Sequence, residues 1–187
     1  MNTGEKLLIC GIDPGPHSIA WTMWDGDGVR GFGTIENPDL VNPDLVALPL
    51  KGLPPIFMAA DCFAIEGIVS YGQRVGEETF QTAETIGILR ARLHDRFMVR
   101  ITRPEIKMHL LGRRAGNDAD LKAAIAGEFP AEIGRKGLPE PIKMLKSHNL
   151  AAFYVAFVLQ RQLAGDFGYG RTFAASVTAL KGKLDNP

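Results

Sequence analysis

The chain has 187 residues, 45% hydrophobic and 22% charged, with a formal net charge of zero. That is enough for one well-stocked core and short for two full domains. No apolar run approaches the ~18 residues of a membrane span, and the opening "MNTGEKLLICGID" has the pattern of a first strand, not of a secretory leader, so a cytoplasmic protein without membrane contact is the expectation.

"LLICGID" (7–13) is a buried-strand pattern, and "PGPHS" is the turn after it. "IAWTMWD" (19–25) reads as a second strand closed by "GDG", and "VRGFGTIE" (29–36) as a third, so the chain opens with a three-strand antiparallel meander. Residues 37–46 are "NPDLV" twice over. Two copies are too few for a solenoid, and Asn before Pro suits an N-cap and first helical position, so a short helix is expected before the loop "LPLKGLPP". "DCFAIEGI" (61–68) is a fourth strand. "GEETFQTAETIGILRARLHDRF" (76–97) is an amphipathic helix with Phe80, Ala83, Ile86, Gly87, Leu89 and Leu93 on one side.

"MVRIT" (98–102) is a short fifth strand. "RPEIKMHLLG" (103–112) has a Pro suited to a helix start, and "NDADLKAAIAGEF" (117–129) has Asn and Asp placed to cap another helix. "PAEIGRKGLPEPIKMLK" (130–146) reads as loop. "SHNLAAFYVAFVLQRQLAG" (147–165) is a strongly apolar helix, capped by Ser147 and stopped at Gly165. The tail 166–187 has weak periodicity and is expected to be partly disordered. Cys10 and Cys62 both lie inside apolar runs and read as buried free thiols, not a disulfide framework or zinc site. The pattern predicts one α/β domain over 1–165, with a mixed five-stranded sheet and helices on both faces.

Three residues stand out chemically. Asp13 ends the first strand in "GIDPG", as a turn residue or as a carboxylate fixed beside glycines that admit a phosphate or metal. Glu66 interrupts an apolar strand, where an ionised carboxylate is costly unless paired or bound. It is a salt-bridged or edge-facing glutamate, or a hard oxygen ligand for Mg²⁺ or Mn²⁺. His148 opens the last helix, as a surface or capping residue, or as an imidazole that the helix dipole keeps in its neutral, metal-binding form.

Taken together, an Asp ending strand one, a Glu on the strand after the meander and a His opening the final helix resemble the RNase H-like nucleases, specifically the RuvC-type Holliday junction resolvases. The likeness runs from about residue 7 to about 163, through "GIDPG", "AIEGIVSYG", "IKMHLLGRRAGNDADLKAAI" and "KSHNLAAFYVAF". The wording is closest to a phage-encoded branch. The resemblance implies a metal-dependent endonuclease that cuts branched DNA by two-metal hydrolysis, with Asp13, Glu66 and His148 as catalytic metal ligands. It also implies Mg²⁺ or Mn²⁺, a homodimer and no nucleotide cofactor. One departure stands: many such proteins carry a second ligand one turn after the first on the final helix, and here that position is Ala151. Water and DNA phosphate complete the site, or Asp118 or Asp120 substitutes (helix capping explains both without metal), or the protein binds junctions without cutting.

The two halves of the chain differ in charge. Residues 1–97 hold 7 Lys+Arg against 13 Asp+Glu, a net −6, and 98–187 hold 14 against 8, a net +6. That is one footprint of a nucleic-acid binder, and equally of two solvated faces. Candidate DNA contacts are Arg74, Lys107, Arg113, Arg114, Lys122, Lys136 and Lys146, with Tyr71 placed to stack on an unpaired base. The helix containing "FQTAETIGILRARL" is the candidate dimer face, and core packing explains its stripe equally well. The rival classes are a catalytically impaired branched-DNA-binding module, a related nuclease acting on RNA, and an actin-like or sugar-kinase-type ATP-binding domain. The last also opens with a "GIDxG"-like strand, but needs a second phosphate loop that the chain does not show.

Overall fold

A computed structural model describes residues 7–36, 55–70, 72, 74–129, 138 and 140–164. The expected helix at 37–46 and the tail from 166 lie outside the described residues. The described residues form five strands, β1 (Ile9–Pro14), β2 (Ser18–Trp24), β3 (Val29–Glu36), β4 (Cys62–Gly67) and β5 (Met98–Thr102), with β1, β2 and β4 buried almost throughout and β3 and β5 alternating. They form one sheet in the order β3-β2-β1-β4-β5, antiparallel at β3-β2 and β2-β1, parallel at β1-β4 and β4-β5. The meander and the mixed sheet are therefore as the sequence predicts. Among the described residues there are four α-helices, α1 (Glu77–Arg92) between β4 and β5, then α2 (Arg103–Leu111), α3 (Asp118–Glu128) and α4 (Ser147–Ala164). Short 3-10 turns at Pro55–Ala59 and Ile142–Met144 fall in segments without helical periodicity.

The pleat divides the core in two. Cys10, Ile12, Phe63 and Ile65 face α1 and the 3-10 turn, where Phe57 packs with Leu89 and Leu93. Ile9, Cys62, Ala64, Val99 and Ile101 face α2, α3 and α4. On α4 every residue from Ala152 to Leu159 is buried, as expected of a helix apolar on all sides. It lies so close to β1 that a Cβ on Gly11 would come within 1.9 Å of the Ala152 carbonyl oxygen. Asn149 fixes the start of α4, donating from Nδ2 to the carbonyls of Trp21 (3.3 Å) and Gly33 (2.6 Å), while its own carbonyl accepts from Thr22 Oγ1 (2.8 Å). Further along, the Trp24 indole donates to Gln160 and packs edge-on against Phe153.

Two local expectations change. The apolar stripe of α1 is only partly inward: Leu89 is buried, but Phe80 is 60% exposed and Thr85 takes an inner position. Thr85 can do so because its hydroxyl donates to the Gln81 or Gly15 carbonyl oxygen. Ser147 is the first residue of α4, not a cap outside it, with φ of 36° in the left-handed region. Both cysteines are buried and free, as expected. No described helix is long and apolar enough to cross a membrane.

Candidate active site

Strand register places the first two acids. Gly11 pairs with Ala64 and Ile12 with Ile65 across the parallel β1-β4 ladder, so Asp13 and Glu66 are the next residues on adjacent strands. By alternation both project to the face covered by α4. That helix runs back along β1: Ala152 sits over Gly11, and one turn earlier His148 sits over Asp13. Its Nδ1 is 2.8 Å from Asp13 Oδ2. The side chain of Asp13 is 16% exposed and that of His148 75%, so the imidazole reaches in from the rim. With Nδ1–H donating to the carboxylate, Nε2 keeps the lone pair that can take a metal.

These residues border a cleft of about 450 Å³, with Arg103, Asp118 and Lys122 on one side and Ser147, Ala151 and Tyr154 on the α4 side. Arg103 opens α2, whose start is fixed by Glu105 accepting from the Thr102 backbone N–H (2.7 Å) and hydroxyl (2.6 Å). The guanidinium of Arg103 pairs with Asp118, lies 3.6 Å from Glu66 Oε2 and stacks over the Tyr154 ring with its central carbon 5.7 Å from the centroid. Asp118 is thus not the cap of α3. Asn117 holds that position, exchanging hydrogen bonds with Asp120 at 2.9 and 3.0 Å. Capping accounts for Asp120, and pairing with Arg103 for Asp118.

Electrostatics set these acids apart from ordinary surface carboxylates. Burial raises the pKa of Glu66 to about 7, with Asp13 and Asp118 adding to the rise and Arg103 and His148 opposing it. Burial also raises Asp13, against the lowering effect of its His148 hydrogen bond and of the His148 and Arg103 charges. Burial pushes the Tyr154 phenol to about 12, so it stays protonated, and its hydroxyl has no hydrogen-bond partner. The two strand carboxylates are therefore under-neutralised and favour an added cation. As hard oxygen donors on rigid strands they fit Mg²⁺ or Mn²⁺ in kind. Among the described residues, no three His, Cys, Asp or Glu side chains converge into a ready cage, and Arg103 supplies the positive charge beside Glu66.

Of the candidate DNA contacts, Lys122 lines the cleft. Arg113 and Arg114 are exposed between α2 and α3, Lys146 is exposed just before α4, and Arg74 is exposed ahead of α1. Lys107 is half-buried on α2 and does not line the cleft. Tyr71 and Lys136 lie outside the described residues. Sequence reasoning missed Arg103 and Tyr154. A cation in the first turn of a helix, where the dipole opposes it, is a signal that could have flagged Arg103.

Two solved structures share this architecture. Thermus thermophilus RuvC aligns at 17% identity and TM-score 0.58, over 85% of this chain and 97% of that one. T. thermophilus RuvC in complex with Holliday junction substrate aligns at 15% identity and TM-score 0.55, over 80% and 90%. The fold is that of RuvC. No protein-family model and no curated protein matches the chain. The likeness to RuvC is thus one of backbone, and it extends over 80–85% of this chain.

Proposed function

We propose that the chain is a metal-dependent endonuclease that hydrolyses phosphodiester bonds in four-way junctions and other branched DNA, acting as a homodimer with Mg²⁺ or Mn²⁺. The observation that carries this is the pair Asp13 and Glu66, level on adjacent parallel strands, buried and short of positive charge at an open cleft. A RuvC-like fold supports it, since one solved structure of that fold holds a Holliday junction substrate. Asp13, Glu66 and His148 Nε2 would hold the metal. A divalent ion held by these residues would activate water for attack on the phosphate and stabilise the leaving oxygen. Asp13 orients His148 through Nδ1, Glu66 contributes oxygen ligands from a rigid strand, and Lys122 faces the incoming phosphate from the opposite wall. The face of α1 bearing Phe80 is the candidate dimer surface. Two cuts placed symmetrically on a junction need two sites related by a two-fold axis.

A second reading has its own observation. Ala151 lines the cleft where a further ligand would help, and no three-ligand cage is preformed among the described residues. That arrangement favours a protein that grips branched DNA without cutting it. Labelled four-way junction, flap and linear duplex incubated with purified protein in Mg²⁺ or Mn²⁺ separate the two. The nuclease cuts branched substrates, and Glu66→Gln loses that activity by about a hundredfold or more, as expected when a metal ligand is removed. Equal cutting by both proteins rejects the site. Tight junction binding with no cutting selects the second reading.

A further inference from the structure

Arg103 is held against its local preference. It is the first residue of α2, where the helix dipole disfavours a cation. Its partner Asp118 is 79% exposed, and an ion pair of that kind contributes little alone. The remaining contact is the largely buried carboxylate of Glu66, 3.6 Å away. Beneath the guanidinium the Tyr154 ring forms a floor, 1% exposed, with its hydroxyl unpaired. Two acidic groups, an aromatic face and the cleft thus meet around one side chain. Arg103 occupies the place of a cation beside Glu66.

We propose that Arg103 is the resident counter-ion of this cleft and changes partner when a divalent ion binds. With no metal present it offsets the charge of Glu66. An arriving divalent ion takes over that task and repels the guanidinium from Glu66. Asp118 and the Tyr154 ring retain it at the cleft wall, and its freed N–H groups then face a phosphate. The planar fork of Arg suits that second partner better than an ammonium would. This inference rests on the proposed metal-dependent function and adds to it the residue that couples metal entry to DNA contact. It implies opposite effects on two ligands: the positive charge opposes metal binding and assists DNA binding.

The test uses the full chain as wild type, Arg103→Gln and Arg103→Lys, with folding of each checked by circular dichroism. Mn²⁺ affinity is measured by calorimetry and by the electron paramagnetic resonance of the free ion. Four-way junction affinity is measured by anisotropy in Ca²⁺. Loss of one charge a few ångströms from the ion should tighten Mn²⁺ binding by Arg103→Gln about tenfold, while junction binding weakens about tenfold. Arg103→Lys should match wild type for Mn²⁺, since the charge remains, and fall between the two for junction. Unchanged Mn²⁺ affinity in Arg103→Gln overturns the inference and leaves the metal-dependent function standing. Weaker binding of both ligands also overturns it, because it marks Arg103 as a scaffold residue. No Mn²⁺ binding by any of the three proteins overturns both the inference and the metal-dependent function.

Discussion

Glu66 sits where ionisation is opposed by burial, and this has a measurable sign. Its folded-state pKa of about 7 exceeds its ordinary value of 4.5, so between those pH values the folded chain binds a proton that the unfolded chain releases. Its contribution to stability is therefore greatest below pH 4.5 and is lost as pH rises through 7. Glu66→Gln removes the charge. In EDTA at pH 8 the variant should melt above wild type, by on the order of 1–3 kcal/mol, and the gap should close toward pH 5. Thermal melts at the two pH values check this, and a pH-independent gap would contradict it. Adding Mn²⁺ should raise the melting temperature of wild type and not of the variant. Glu66 is legible in the sequence because its carboxylate interrupts an apolar strand, and Asp13 because it ends one beside glycines. Arg103 could not be found so directly: "TRP" is ordinary helix-start chemistry, and its meaning comes from Glu66 and Tyr154, distant in the chain and brought near only by folding.

Among the elements, α4 depends most on close approach. Gly11 lets the Ala152 carbonyl lie against β1, and that contact puts His148 over Asp13 one turn away. Gly11→Ala forces the helix outward and should cost about 3 kcal/mol, with loss of Mn²⁺ affinity from the displaced imidazole. Gly28→Ala, whose added methyl would meet nothing within 4 Å, should stay within about 0.5 kcal/mol of wild type in denaturant unfolding. Matching stabilities for the two variants would refute the contact. The strands and principal helices were legible because each carries its own period or cap. The stripe of α1 was not, since hydrophobicity counts Phe80 inward and Thr85 outward. The Gly15 carbonyl that helps satisfy Thr85 is 70 residues away.

For the molecule as a whole, the charge division in the sequence acquires a location. The acidic half supplies the meander, β4 and α1, and the basic half supplies β5 and the three helices α2, α3 and α4 that share the far face of the sheet. Arg113 and Arg114 stand exposed on that side, between α2 and α3. Junction affinity should fall steeply with salt. Arg113→Ala with Arg114→Ala should reduce the slope of log K against log salt by about 0.9 for each phosphate contact removed. Anisotropy titrations from low to moderate salt measure that slope, and an unchanged value would take both residues off the DNA path. The sequence showed the imbalance of charge but not its placement, because strand order and helix side are fixed by long-range pairing.

The burial of α4 has a consequence for biosynthesis. Asp13 and Glu66 are translated early, but the imidazole that borders them and the helix that covers their face of the sheet come only with residues 147–164. A nascent or prematurely terminated chain therefore leaves that face of the sheet bare and its two carboxylates without their third partner. If the proposed nuclease function holds, cutting is withheld until α4 has docked, so an incomplete copy exposes apolar surface to proteases before it can act on DNA.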